Sequence, residues 1–280
     1  MFEFRFCIVD SSLIKKMTLA IGLVLLVGWS QVHAQANPRG TFEFVARAGT
    51  ADDGAQDMVL DGSLLYVANK FSGLQIVDLS NFSNPIVKSR TKSDGQNYGL
   101  TKKNNYVFMA DNISGFLVYD VTNVSRPKKI TQLPMKGETW DIKVQGNYAY
   151  VAAGLAGLVV VDITDPKAPK AVASLRYDKD WGYARKIFIG QNNLLYLADR
   201  KAGIHIISIE NPLAPKEIKR YQTQYAEGIE VADGYAYVAD GPNGLVILDV
   251  NNPEKVRQVG EFHVPGYANG LVKSGPYLYL

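Results

Sequence analysis

Cysteine, histidine and long apolar runs are all scarce in this chain. One cysteine, Cys7, stands among 280 residues, so neither a disulfide framework nor a thiolate metal centre can be assembled from it. The histidines are three, His33, His205 and His263, and no HExxH, Cys–His cluster or GxxxxGKS/T segment occurs. Zinc hydrolysis and phosphate-loop chemistry thus have no motif to rest on, and no cofactor is expected. A formal charge of +3 is too small over this length to call for a nucleic-acid partner. The apolar run TLAIGLVLLVGW at 18–29 is 12 residues long, short of the roughly 20 needed to cross a bilayer.

That run is preceded by Lys15 and Lys16 and followed by Val32-His33-Ala34. A basic flank, a short apolar core and a small-residue site together read as a signal peptide over residues 1–34. Cleavage is expected after Ala34, with a second option after Ala36. Cys7 leaves with the leader, and residues 35–280 keep 27 basic and 25 acidic side chains, a balance of +2. The mature protein is expected to be secreted or otherwise extracytoplasmic, in the periplasm or at the cell surface, with no membrane span.

A repeat dominates the remainder. An aromatic recurs at Tyr66, Phe108, Tyr150, Tyr196, Tyr237 and Tyr279, at intervals of 42, 42, 46, 41 and 42. Seven residues after each of the first five comes Gly73, Gly115, Gly157, Gly203 or Gly244. Five further on sits Asp78, Asp120, Asp162, Ser208 or Asp249, and seven beyond that Pro85, Pro127, Pro169, Pro215 or Val256. Within each unit, stretches such as GYAYVA alternate at period two, as a half-buried strand does. A glycine turn follows, then a continuously apolar segment such as GLVVVDI, an Asx-Pro turn, and a more polar outer strand. Aspartate bonds the backbone ahead of it and proline stops the ladder. Four short strands in about 42 residues, with no helical period, predict an all-β chain, a β-propeller of four-stranded blades. One such sheet cannot bury both faces alone, so neighbouring blades are expected to stack.

The apolar segments read LQIVD at 74–78, FLVYD at 116–120, LVVVD at 158–162, IHIIS at 204–208 and LVILD at 245–249. With Tyr237-Val238-Ala239-Asp240 and the trailing prolines, this resembles the LVIVD-repeat family of bacterial surface and secreted proteins. The resemblance spans residues 42 to 280 and implies a propeller, and with it no particular activity. His205 and Ser208 in the fourth copy depart from the pattern, which implies weaker turn chemistry there.

Residues 42–47, FEFVAR, match the outer-strand position, and five full repeats start near residue 56. A partial sixth repeat covers 268–280, so we expect six blades with the last incomplete. An ending on Tyr-Leu-Tyr-Leu exposes an apolar strand edge, which soluble proteins avoid. A truncated piece of a larger surface protein is therefore one expectation beside a six-bladed ring.

Function is expected on the blade-to-blade connectors, held rigidly on one face. The longest interval, 46 residues, contains Arg176-Tyr177-Asp178-Lys179-Asp180-Trp181-Gly182-Tyr183. Equivalent connectors supply Tyr98, Trp140, Tyr225 and Tyr267, with Asp141, Arg185 and Glu227 nearby. Aromatics with a polar handle suit recognition. The candidate ligand face is accordingly Tyr98, Trp140, Asp141, Trp181, Tyr183, Arg185, Tyr225, Glu227 and Tyr267, offered to a protein or a glycan, though such aromatics also serve as packing between blades. The protein is expected to be non-enzymatic. The alternative, a propeller hydrolase or lyase, requires Asp57, Asp141, Arg185 and Glu227 to meet in one pocket with perturbed acids. His205 sits mid-strand where other copies carry Gln75, Leu117, Val159 and Val246, the place of a packed histidine rather than a base. A calcium site in Asp52-Asp53-Gly54-Ala55-Gln56-Asp57 lacks a terminal glutamate.

Overall fold

The computed structural model describes residues 54–176, 182–275 and 277–280. The leader, the 42–47 strand, Asp52, Asp53 and Trp181 lie outside the described residues. Among these residues there is no helix, and the strands form five four-stranded antiparallel sheets and one two-stranded sheet. The first sheet holds β1 (Ala55–Asp61), β2 (Leu64–Asn69), β3 (Gly73–Asp78) and β4 (Ile86–Thr91). The second holds β5 (Asn97–Lys103), β6 (Tyr106–Asp111), β7 (Gly115–Asp120) and β8 (Lys128–Leu133). In the third are β9 (Asp141–Gln145), β10 (Tyr148–Ala152), β11 (Leu158–Asp162) and β12 (Lys170–Leu175). The fourth comprises β13 (Lys186–Ile189), β14 (Leu194–Ala198), β15 (Ile204–Ser208) and β16 (Lys216–Tyr221). The fifth comprises β17 (Gly228–Ala232), β18 (Tyr235–Ala239), β19 (Leu245–Asp249) and β20 (Arg257–Phe262). A hairpin of β21 (Val272–Ser274) and β22 (Tyr277–Tyr279) follows. Each sheet runs in chain order, and the first strands β1, β5, β9, β13, β17 and β21 pack successively against one another. Five full blades thus circle an axis lined by their first strands, the propeller that the repeat implies.

The repeated residues have local causes. Gly73, Gly115, Gly157, Gly203 and Gly244 have φ between +75° and +86°, a region that L side chains rarely enter. A Cβ at each would also collide with the carbonyl oxygen of Thr91, Leu133, Leu175, Tyr221 or Phe262 at the end of the blade's fourth strand. The aspartates cap the opposite turns: Asp78, Asp120, Asp162 and Asp249 accept the N–H two residues ahead at 2.8–3.2 Å. Hydrogen bonds from the side chains of Thr122, Thr164 and Asn251, with the backbone N–H of the same residues, hold Asp120, Asp162 and Asp249 below their ordinary range, and the Ser80 N–H and hydroxyl do so for Asp78. In the fourth blade Ser208 Oγ stands 3.5 Å from Glu210 N, the weaker turn expected of that copy. A bulge interrupts the third-to-fourth strand ladder at the same place in all five blades, which twists each outer edge away from continued pairing.

The core lies between blades. Phe108, Phe116 and Val118 of blade 2 pack with Ile142, Val151 and Val159 of blade 3. Equivalent clusters join blades 1 and 2, 3 and 4, and 4 and 5. Tyr66, Phe108, Tyr150 and Tyr196 each lie in the interface with the following blade, so the aromatic column of the repeat is a packing column. Full burial of such a side chain contributes roughly 1.5–3 kcal/mol.

Blade 4 buries a charge in this core. His205, fully buried, places Nε2 3.2 Å from Asp199 Oδ2 and Nδ1 2.6 Å from Glu217 Oε2. Each ring nitrogen thus faces a carboxylate oxygen, and only the imidazolium presents a proton on both. Burial disfavours that cation, but the two carboxylates outweigh it and raise the pKa. At the same position in blade 1, Gln75 accepts from Asn69 Nδ2 at 2.8 Å, a neutral version of the pair.

Phe108→Ala should cost about 3–5 kcal/mol by opening a cavity between blades 2 and 3, measured by denaturant unfolding. Ile113→Ser, on an exposed turn, should stay within about 0.5 kcal/mol of wild type. For His205, the folded pKa lies above the unfolded one, so its stabilisation is complete below the unfolded pKa and fades as pH rises through the folded pKa. Thermal unfolding should therefore show His205→Gln most inferior to wild type in mildly acidic buffer, with the gap narrowing at alkaline pH. A gap independent of pH would contradict the imidazolium assignment.

Candidate functional site

Chain direction puts the start of every first strand, the connector before it and the turn between the second and third strands on one face. At the entrance to the first strands of blades 2 to 5 stand Tyr98, the second residue of β5, and Trp140, Arg185 and Glu227, immediately ahead of β9, β13 and β17. Two residues earlier stand Tyr183 and Tyr225, with Tyr267 in the corresponding place ahead of β21. Side chains from successive blades meet as a rim around the axis. The rings of Tyr98 and Trp140 lie 4.2 Å apart between centroids, and Tyr183 is 5.8 Å from Trp140. The Arg185 guanidinium lies 3.6 Å from the centre of Trp140. Arg200 spans Tyr183 and Tyr225 at 4.6 and 5.4 Å, and Tyr225 meets Tyr267 edge-on at 6.1 Å.

One carboxylate ties the cationic side of the rim together. Glu227, its side chain 4% exposed, accepts from Arg185 Nε at 2.8 Å, Arg200 Nε at 3.2 Å and the Tyr267 hydroxyl at 3.0 Å. Two guanidiniums facing one carboxylate leave a positive excess. Burial and the Glu227 charge push the Tyr267 phenol well above its usual range. At the other end of the rim, Lys70 stands over Tyr98 at 5.8 Å and over Phe71 at 5.2 Å.

The loops carrying these groups are fastened to one another. The turn in blade 3 bridges to the next connector through Gly154 and Ala184, as do Arg200 with Ala226 and Gly241 with Ala268. Asp240 accepts the N–H groups of Tyr225 and Gln224 at 2.7 and 3.2 Å. Thr139 donates to the carbonyl of Asp111 at 2.6 Å, and Asn97 to that of Asn69 at 3.1 Å. Both Asn97 and Thr139 are buried. Backbone pairing of this kind holds side chains in a fixed geometry before any ligand arrives.

Of the nine residues singled out from the sequence, Tyr98, Trp140, Tyr183, Arg185, Tyr225, Glu227 and Tyr267 come together in this rim. Trp181 lies outside the described residues. Asp141 is brought elsewhere: adjacent strand residues point to opposite sides, so Trp140 faces the rim while Asp141 turns toward the axis. There its carboxylate accepts the Ile187 N–H at 2.9 Å and pairs with Lys143 at 3.5 Å and Lys186 at 3.4 Å. The same two lysines reach Asp57 of blade 1 at 3.8 and 3.6 Å, contacts among blades 1, 3 and 4 that only a common axis allows. Burial alone would raise the Asp57 carboxyl, but Lys186, Lys143 and the Leu100 and Met58 N–H groups hold it below its ordinary value. Glu230, on β17, is raised by burial against the opposing pull of Lys143, Lys186 and Lys273. Asp57 and Asp141 are thus engaged by axial lysines, and Arg185 and Glu227 by each other. Lys70 and Arg200 escaped the sequence reading because they sit on turns rather than connectors; aligning the residue three places before each repeat glycine exposes both.

The model of the LVIVD repeat matches residues 53–92, 96–132, 136–176, 181–223 and 224–263. No curated protein matches the sequence. Among solved structures, the chain is similar to a functionally unknown protein from Desulfotomaculum acetoxidans, with a TM-score of 0.66 at 12% identity over 79% of this chain and 74% of that one. The β-propeller domain of Cps50 (Swd1) from Myceliophteria thermophila gives 0.63 at 12% identity over 81% and 77%. The computationally designed Ika8 protein gives 0.64 at 9% identity over 85% and 71%. At such identities the likeness concerns fold. The five matches span most of the described strands, and the chain belongs to the LVIVD repeat family of β-propellers.

Proposed function

We propose that this chain is an extracytoplasmic, non-enzymatic binding propeller that receives a protein or glycan partner on its connector face. The observation that carries this reading is the unbroken run of rings and cations from Lys70 through Tyr98, Trp140, Arg185, Tyr183, Arg200 and Tyr225 to Tyr267. Rigid aromatic and arginine side chains are the residue types that dominate binding energy at interfaces. Tyr267 is 44% exposed at the end of this run. The acid–base chemistry of the rim points the same way: Glu227 is neutralised by two guanidiniums, and the Tyr267 phenol stays protonated at neutral pH. Delivery outside the cytoplasm rests on the basic flank, apolar core and small-residue site of the leader.

The test is selection of ligands without prior choice, from a random-peptide phage library and from a glycan array, against the full chain. Selected ligands should lose about tenfold or more in affinity for a Tyr183→Ala/Tyr267→Ala variant whose thermal unfolding matches wild type. Ligands that bind that variant undiminished, or that respond instead to Leu213→Asp on the opposite face, would overturn the reading.

A further inference from the structure

The turns between second and third strands occupy the same place in every blade, yet their tips differ. Two residues before the repeat glycine stand Phe71, Ile113 and Leu155 in blades 1 to 3, and Lys201 and Pro242 in blades 4 and 5. Phe71 is 59% exposed, Ile113 74% and Leu155 69%. The fold does not ask for apolar side chains here, because Lys201 fills the same position. A single exposed apolar residue is ordinary, whereas equivalent positions on three consecutive blades line up as an arc. The arc is continuous with the rim inside it. Lys70 contacts both Phe71 and Tyr98, and Gly154, next to Leu155, lies against Tyr183 and Trp140.

We infer that this arc docks an extended acidic segment of a partner protein, with apolar side chains on Phe71, Ile113 and Leu155 and carboxylates toward the cations of the face. The inference rests on the recognition reading given above and names the partner class. Charge complementarity supplies the acidic half. Among the described carboxylates on this face, Glu227 is held by two arginines and Asp240 by backbone N–H groups, and the exposed Asp94, beside Lys129, and Glu138 are outnumbered by the cations. Lys92, Lys136 and Lys201 are exposed, and Lys70, Arg185 and Arg200 lie over rings. The aliphatic tips supply the other half. Isoleucine and leucine offer no hydrogen bond to a sugar hydroxyl, so covering them with a glycan desolvates hydroxyls without return. Apolar side chains of a polypeptide carry no such cost.

Fluorescence anisotropy of the full chain with three labelled dodecapeptides tests this: alternating Glu and Leu, alternating Lys and Leu, and alternating Glu and Ser. The Glu–Leu peptide should bind, weaken as salt is raised, and lose about tenfold or more against an Ile113→Ser/Leu155→Ser variant. Both substituted side chains are exposed turn tips, and matched thermal unfolding establishes that the variant is folded. Equal binding of all three peptides, binding indifferent to the variant, or no binding of the Glu–Leu peptide would each overturn the inference. If array glycans or library peptides lose affinity for the Tyr183→Ala/Tyr267→Ala variant and keep it for the Ile113→Ser/Leu155→Ser variant, the recognition face stands and the acidic-segment arc falls.

Discussion

Burial of both faces of each blade against its neighbours is the interaction on which the remainder of this molecule depends. The middle strands are apolar on both sides, as in β7, where every residue from Gly115 to Tyr119 is buried. A lone four-stranded sheet of this kind would leave one such face in water. Stacking removes both, and it does so with the repeat's own aromatic column, which places Phe108 between blades 2 and 3 and Tyr150 between blades 3 and 4. The near-constant period of the repeat follows, because each blade must present the same two surfaces to its neighbours.

Two further arrangements are consequences of that stacking. First strands converge on an axis, so charged residues on them meet across the ring, and Asp57, Asp141, Lys143 and Lys186 satisfy one another there. Connectors and turns converge on one face, where the start of each first strand delivers a side chain beside the turn of the preceding blade. Arg200, at the turn of blade 4, reaches Glu227 at the opening of blade 5 in this way. The rim is assembled from residues far apart in sequence and near neighbours in the ring.

What the sequence discloses divides along the same line. The glycine and aspartate columns answer to constraints within a blade, a positive φ and a capped turn, and the aromatic column answers to the stacking that every blade repeats, so all three recur at a fixed spacing that can be read directly. Polar contacts peculiar to one pair of blades leave no such trace. The connector aromatics were legible as a class because they depart from the repeat, but Arg200 and Lys70 were not, since their partners are brought by the next blade. Asp141 was grouped with Trp140 by adjacency, and strand alternation separates them. His205 was readable as a packed histidine. Its imidazolium character depends on Glu217, which reaches it from the neighbouring strand.

The central claim is that stacking fixes the connector face before any partner arrives. Native-state amide hydrogen exchange on the free protein tests it most directly at the bridges between turns and connectors, Gly154 with Ala184, Arg200 with Ala226 and Gly241 with Ala268. The account predicts that these N–H groups are protected comparably to those of the first strands, opening only with the blades themselves. Exchange at the rate of an unprotected loop, with the strands still protected, would show a face that forms only on binding and would contradict it.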